Sequence, residues 1–443
     1  MEPIDLTVVI PTLNEATNLA VLLPKLKQIL DGMALSGGYE ILIIDGPSTD
    51  GTEQAARQHE VRYHRQQGIG YGGALREAFA LSQGEYVVTI DADLSHNPYV
   101  IKQLYKQRQH AEVVIASRYV RAGFARTEFF RKVFSRLLNR VFCYILDIPL
   151  HDISSGFRLY RRDALREVEL TGTGYELLEE IIVEAYMRGI RVMEIPFHYA
   201  PRKRGKSHVK LIKFAWAYLT MLSRLWVRRN SIRSADYDER AFHSKILIQR
   251  YWQRKRYAHI LDLIDNREAL VDIGCGSSKI LGAIPQAVAM DISFNKLRHL
   301  RILPNSLVNG TIFALPFKDA RFDEIICSQV IEHIPPDDTL FAELRRILRD
   351  DGTLVIGTPD YATWRWRWIE WVYKRAIPGG YADEHITHYT FDSLVKKLNE
   401  YGFTYLAHRY VAGAELIIKA RKNTPHPRPL SHDGERGDSR SRS

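Results

Sequence analysis

At 443 residues the chain is too long for one ordinary hydrophobic core and long enough for two domains of usual size. Hydrophobic residues make up 45% and charged residues 26%, which is a globular composition, and a formal charge of +10 points to anionic partners: nucleic acid, an anionic membrane face or phosphorylated substrates. The three cysteines, Cys143, Cys275 and Cys327, form no CxxC pair, which excludes a disulfide framework and a zinc ribbon and fits a reducing, cytosolic setting. The start, MEPIDLTVVIPTLNE, runs straight into a strand pattern, so no secretory leader is expected. No uncharged apolar run approaches the ~20 residues of a spanning helix, so the chain is expected to touch a membrane at most.

From position 6 to 120, β-branched runs alternate with helical periodicity: LTVVI, a helix from about Asn18, YEILIID, a helix from about Thr52, EYVVTIDAD, and AEVVIASRY. Strands separated by helices predict a parallel, doubly wound sheet covered on both faces. Ligands of such sheets bind outside the carboxyl ends of the strands. The unusual residues of this half gather there: Pro11 and Glu15 in IPTLNEATN, Asp45 in IIDGPSTDGT, and Asp91 and Asp93 in VVTIDADLSH. Two carboxylates one residue apart at the end of a buried strand require a counter-charge. A hard divalent cation, Mg²⁺ or Mn²⁺, suits carboxylate oxygens and bridges phosphates.

Two later segments are helical and largely apolar. In 208–229, HVKLIKFAWAYLTMLSRLWVRR, the residues Lys210, Lys213, Ala217, Thr220, Arg224 and Arg228 recur at spacings of three and four and form one polar stripe. Residues 129–147, FFRKVFSRLLNRVFCYILD, repeat the pattern. Both are too short to span, so they are expected to lie in the headgroup plane with their basic residues toward anionic lipid. Packing on their own domain or on a second copy is the alternative.

The first half resembles the family 2 glycosyltransferases, in particular the dolichyl-phosphate mannose synthase branch. Besides IPTLNE, IDGPSTDGT and IDADLSH, the likeness rests on GIGYGGALREAFALSQG, ASRY, the series Arg131, Ser135 and Asn139, DISSGFRLYRRDAL, GYELLEE and RKRGKSH. The resemblance implies a GT-A type fold that uses a nucleotide diphosphate sugar and a polyprenyl phosphate. Pro11, Glu15, Asp45 and Asp91 would bind the nucleotide sugar, and Asp91 and Asp93 would hold the metal and diphosphate. Arg118, Arg131, Ser135 and Arg202 would face the acceptor phosphate or the diphosphate. The sequence departs from the family pattern in three places. Gly46 follows Asp45 where a second acid is usual, Ser95 stands where Gln is usual, and His208 replaces a Lys after GKS.

A charged, Tyr- and Arg-rich helical stretch at about 231–265 precedes a second series of strands: ALVDIGCG, AVAMDIS, FDEIICSQ, GTLVIGTPD, and the pair FTYLAHRYVA and AELIIKARK. Gly274 and Gly276 in LVDIGCGSSK let backbone approach a ligand at a strand tip, and Asp291, one strand later, is placed to accept from ribose hydroxyls. A dinucleotide fingerprint wants a third glycine where Lys279 stands. With FALPFKDARFDEIICSQVIEHIPP and LRDDGTLVIGTPD, residues 266–422 resemble the class I S-adenosylmethionine-dependent methyltransferases. By that resemblance Asp272, Gly274 and Gly276 line the methionine end of the donor, Asp291 holds its ribose, and Leu315 and Asp319 lie near its adenine. A hydroxyl acceptor needs a base, for which His333, His385 and His388 are the candidates.

The expected architecture is two tandem doubly wound, Rossmann-like α/β sheets: residues 1–230 a glycosyltransferase domain with interfacial helices, 231–265 a helical connection, 266–422 a methyltransferase domain, and 423–443 a disordered polar tail. The expected function is hexose transfer to a polyprenyl phosphate together with methyl transfer, at the cytoplasmic face of a membrane. A polysaccharide or protein acceptor is one alternative, although the spanning helices and Q-x-x-R-W signature of processive synthases are missing. A nucleic-acid-directed second half is another, but the basic residues form no recognition motif with aromatics, so no nucleic-acid partner is expected.

Overall fold

The computed structural model describes residues 4–125, 129–199, 211–265, 268–336, 339–376 and 385–424. The chain divides into two compact units, one formed by Met1–Gln253 with Gly276–Gly282 and Ser293–Asn309, the other by Arg254–Cys275, Ala283–Ile292 and Gly310–Ser443.

The first unit is built on strands β1 (Leu6–Thr12), β2 (Tyr39–Asp45), β3 (Arg62–Arg65), β4 (Tyr86–Thr89), β5 (Val113–Ser117), β6 (Phe124–Ala125), β7 (Arg158–Arg161), β8 (Val192–Pro196) and β9 (His198–Tyr199). Seven of them form a sheet in the order β3-β2-β1-β4-β7-β5-β8, and β6 pairs with β9 alone. Strand β1 explains why the sequence reads as an unbroken apolar run. Leu6, Val8 and Ile10 pack on the helix Ala16–Asp31, while Val9 on the opposite face joins Ala74 and Ala78 of the helix Gly70–Leu81. A strand covered on both faces is apolar on both, and the buried Thr7 and Thr12 of β1 are tolerated because their hydroxyls bond Glu40 and Asp45 at 2.7 Å.

The sheet is not wholly parallel as the alternating pattern predicts. β7 runs antiparallel to both neighbours, β4 and β5. It enters the sheet after the helix Phe129–Leu146 and the segment 147–157, between β4 and β5. Arg158 begins β7 and is fully buried, its guanidinium donating to the carbonyls of Ser155 (2.6 Å), Leu178 (2.8 Å) and Ile153.

The second seven-stranded sheet consists of β10 (Leu270–Ile273), β11 (Val288–Asp291), β12 (Ser306–Asn309), β13 (Phe322–Ser328), β14 (Leu348–Pro359), β15 (Phe403–Val411) and β16 (Glu415–Lys422), in the order β12-β11-β10-β13-β14-β16-β15. β10, β11, β13 and β14 are parallel where they pair, and the β15–β16 hairpin closes the edge antiparallel. Ala412 and Gly413 turn that hairpin with φ of 51° and 67°. Both folds are mixed α/β sheets of the doubly wound kind.

The helices Phe129–Leu146 and Leu211–Arg229 form as expected, but their polarity is arranged differently. Arg228 pairs with Glu184 and lies 3.9 Å from Glu180, and Arg224 lies 3.8 Å from Glu180; both acids are fully buried. Arg224 and Arg228 therefore turn toward the helix Leu177–Met187, which corrects the expectation that this part of the stripe faces lipid. Leu219, Trp226 and Val227 are left exposed on the other side, and the first helix likewise exposes Val133, Phe134, Leu137, Val141 and Tyr144. Trp216 and the basic residues Lys210 and Lys213 have no described side chain. Among the described residues no helix is long and apolar enough to cross a membrane.

Candidate functional sites

Register brings the acids of the first unit to one edge. Thr12 pairs with Asp45 across β1 and β2, and Val9 pairs with Thr89 across β1 and β4, so Asp91, two residues past Thr89, ends level with Pro11. Asp45 is buried; its Oδ1 accepts from the Thr12 and Ser48 hydroxyls, both at 2.7 Å, and its Oδ2 from Tyr63 at 3.0 Å. Burial, and then the bond to Asp45, push the Tyr63 phenol up to about 12, so it remains a donor throughout the physiological range. Glu15 accepts from Asn18, and its backbone N–H donates to the Thr52 hydroxyl at 3.0 Å, which ties the loop after β1 to the loop after β2.

Asp93 is buried and accepts from both the N–H (3.0 Å) and the hydroxyl of Ser95. The residue that departs from the family pattern thus orients the second carboxylate from beneath. Asp91 is partly exposed, with the buried His96 ring 3.9 Å from its Oδ2. The glycine-rich segment meets this region for a packing reason: a Cβ on Gly72 would lie 2.5 Å from the Gly172 carbonyl, and the Gly72 N–H donates to Thr173 at 2.9 Å. Its glycines admit the 171–174 loop, while Tyr71 stacks on Tyr175 with ring centroids 4.5 Å apart.

Of the arginine and serine candidates, Arg118 and Ser135 belong to one network among the described residues. Arg118 makes a bidentate pair with the fully buried Asp152 at 2.8 and 2.7 Å and also donates to Ser154 at 2.9 Å. Ser154 receives the Asn139 amide at 2.9 Å, and Asn139 Oδ1 accepts from the Ile153 and Ser154 N–H groups. Ser135 accepts from Tyr119 at 2.8 Å, and its carbonyl takes a second bond from Asn139. Of the R-x3-S-x3-N series, Asn139 therefore holds the loop that leads into β7. Arg131 lies on the same helix with its side chain outside the described residues, and Arg202 lies outside them altogether.

Two features inside the quoted motifs gave no sign of their burial in the sequence. Arg158, in GFRLYRR, is wholly buried and, with Arg229, has the largest such side chain among the described residues. Glu179 is buried near it, and burial pushes its carboxyl up to about 8 against the opposing pull of Arg158. An acid next to an equally charged neighbour in GYELLEE gives no pattern that distinguishes it. Glu180, adjacent, holds the 171–172 loop through Thr171 and Gly172.

In the second unit Asp272 is buried on β10, and the turn after it passes Gly274 at φ 69°. The Gly274 and Cys275 N–H groups donate to the Met290 carbonyl at 2.8 and 3.0 Å, and a Cβ on Gly274 would lie 2.3 Å from the Val330 side chain. Glycine is required there by both conformation and space. Asp291 ends β11 and is buried. Leu315 is buried with its N–H on Glu343 at 2.7 Å, whereas Asp319 is exposed and pairs with Arg346 at 2.8 Å. Gly276 falls in the segment grouped with the first unit, where Asp238 crowds it and accepts from the neighbouring Ser277 N–H at 2.9 Å. The three candidate histidines lie together: His333 and His385 rings are 5.0 Å apart, the Tyr361 hydroxyl is 2.7 Å from His385 Nδ1, and His388 stacks on Tyr361 at 4.0 Å.

Comparison with known proteins follows the same division. Residues 7–169 match the glycosyl transferase family 2 domain, and residues 271–356 match a methyltransferase domain. The chain is 33% identical over 230 residues to a dolichol-phosphate mannosyltransferase of Pyrococcus furiosus, covering 49% of this chain and 63% of the relative. It is 31% identical over 207 residues to the glycosyltransferase AglJ of Haloferax volcanii, covering 46% of this chain and 66% of that protein. The chain thus spans somewhat under two thirds of the length of these relatives. A solved methyltransferase of Thermotoga maritima, described as a possible histamine N-methyltransferase, aligns at 20% identity with a TM-score of 0.37, covering 43% of this chain and 98% of that one, too distant for any argument. The chain carries a family 2 glycosyltransferase domain and a methyltransferase domain.

Proposed function

We propose that the first unit transfers a hexose from a nucleotide diphosphate sugar, of the GDP-mannose or UDP-glucose type, to a polyprenyl phosphate. The observation that carries this reading is the alignment of Asp45, Asp91 and Asp93 at one carboxyl edge of three adjacent strands. Asp45, held by three hydroxyls, is a fixed acceptor for the donors of a base or ribose. Asp91 and Asp93 form a hard oxygen donor set that fits Mg²⁺ or Mn²⁺. Such an ion, when bound, neutralises charge that develops on the departing diphosphate. The network around Arg118 and Ser154 ties the segment before β7 to the end of β5, with the Arg118 charge paired to Asp152. The relative from P. furiosus, by its name, acts on dolichol phosphate, which supports a lipid phosphate as acceptor.

Peripheral attachment to the cytoplasmic face of a membrane is part of this proposal, supported by the exposed apolar faces of two helices in the same unit. Replacing Leu219, Trp226 and Val227 by Ser, together with Phe134 and Leu137, is expected to lower flotation with anionic liposomes several-fold. If the folded variant floats like the parent, those faces serve protein contacts.

The second unit is proposed to transfer a methyl group from S-adenosylmethionine to a glycan or lipid acceptor. The side-chain-free turn at Gly274, followed one strand later by Asp291, fits a nucleoside at the strand tips. Methyl transfer from a sulfonium needs chiefly alignment of donor and nucleophile. Asp291→Ala is expected to weaken S-adenosylmethionine binding on the order of 10- to 100-fold by calorimetry, the worth of a charge-assisted hydrogen bond. Unchanged affinity, or tight binding of NADH, would overturn the assignment.

A further inference from the structure

We propose that Glu332, His333 and His385 hold a divalent first-row transition-metal ion beside the methyl-donor turn, with a coordination position left for an oxygen of the acceptor. Each of the three brings one ligand atom within 4.8 Å of the others. Glu332 and His333 lie on the 3-10 helix Ile331–His333, directly after β13, and His385 approaches from a later segment whose Ile386 and Thr387 N–H groups donate to the Glu332 carbonyl at 2.8 and 3.1 Å. The cluster is thus held by backbone from two distant parts of the chain.

A second, independent observation points to a ligand. Ser328 Oγ, Gln329 Nε2, both Glu332 carboxylate oxygens and Thr358 Oγ1 are buried at the carboxyl ends of β13 and β14 without a hydrogen bond. Orphaned buried polar atoms are rare in folded proteins, and each costs the full desolvation of its group. Gln329 also sits at φ 60°, a strained conformation for a residue with a Cβ, and such strain concentrates at functional sites. A cation held between the two histidines would give the buried Glu332 carboxylate its counter-charge.

The donor set selects the ion class. Two imidazoles and one carboxylate suit Zn²⁺, Mn²⁺, Fe²⁺ or Co²⁺ over Mg²⁺ and Ca²⁺, which prefer all-oxygen shells. Three protein ligands leave a position open, as in catalytic sites. The Tyr361 hydroxyl at His385 Nδ1 fixes the ring and leaves Nε2 as the ligating nitrogen. Val330, two residues before Glu332, is the side chain that packs on Gly274, so the site borders the donor turn. Only the clause about the acceptor oxygen rests on the methyltransferase reading.

Full-length protein carrying Asp93→Asn, which removes the other expected divalent site, is titrated with Co²⁺ and followed by visible absorption. The expected result is a saturable ligand-field band at one equivalent. His333→Ala, His385→Ala and the near-isosteric Glu332→Gln, each in the same background, are expected to weaken Co²⁺ binding at least tenfold, with circular dichroism matching the parent in Glu332→Gln. Absence of the band in the Asp93→Asn protein, or an equal band in Glu332→Gln and both histidine variants, overturns the proposal. If S-adenosylmethionine fails to bind while the band depends on these residues, the metal site stands and the methyl-donor reading falls.

Discussion

Asp93→Asn is expected to reduce sugar transfer on the order of 10³-fold or more while leaving S-adenosylmethionine affinity unchanged. The substitution keeps the shape of the side chain, and its Oδ1 can still accept from the Ser95 N–H and hydroxyl, so the buried turn survives. What disappears is one of two negative charges at the strand end. Metal-assisted charge stabilisation is worth several kcal/mol in a transition state, and each ~1.4 kcal/mol is tenfold in rate. The check is a transfer assay with labelled nucleotide sugar, run alongside donor calorimetry on the same preparation. Full transfer by the parent protein in EDTA would remove the metal from the account.

The second large effect concerns stability. Arg229 is fully buried at the end of the helix Leu211–Arg229, and its guanidinium pairs with both oxygens of Asp236 and with the Ser234 hydroxyl at 2.6 Å. Asp236→Ala strands that charge in the interior and is expected to destabilise the first unit by about 3–5 kcal/mol, measured by urea unfolding. The same pair predicts a pH dependence. Burial pushes the Asp236 carboxyl up, but the hydrogen bonds and charge of Arg229 hold it at about 2, below its ordinary 3.8. The folded state therefore binds this proton less readily than the unfolded chain. The contribution is complete above about pH 4 and is lost as pH falls toward 2, on the order of 2 kcal/mol in all. Asp236→Ala should flatten the acid limb of the stability profile; an unchanged slope would mean that Asp236 does not carry it.

The strands that position the chemistry were legible because burial on both faces forces a run of β-branched residues. β1, β2, β5, β10, β11 and β13 all lie within runs apparent from sequence. β3, with the sequence RYHR, and β12, with SLVN, have only partly buried or exposed residues and carry no such pattern. β7 was hidden for another reason: its leading Arg158 is satisfied by three carbonyls that come together only in the folded chain, and no local pattern specifies that. The acids of the first unit were legible as strand-end residues, and the structure adds which oxygens are already engaged. The basic stripe misled because spacing reveals a helical face but not what it meets; Glu180 and Glu184, some forty residues earlier, decide that Arg224 and Arg228 turn inward. Glu332 was visible only as the acid before a candidate histidine, since the burial that makes it a ligand candidate depends on packing at the ends of β13 and β14.

The measurement that bears most directly on the whole account is the fate of a labelled hexose. Purified full-length protein is incubated with GDP-mannose or UDP-glucose labelled in the sugar, a divalent cation and a polyprenyl phosphate in anionic detergent-dispersed lipid. The account predicts label in an organic-soluble, mild-acid-labile product whose formation requires the lipid phosphate and is lost in Asp93→Asn. Label that reaches only a water-soluble polymer or protein, or transfer that proceeds equally without the lipid phosphate, would contradict it.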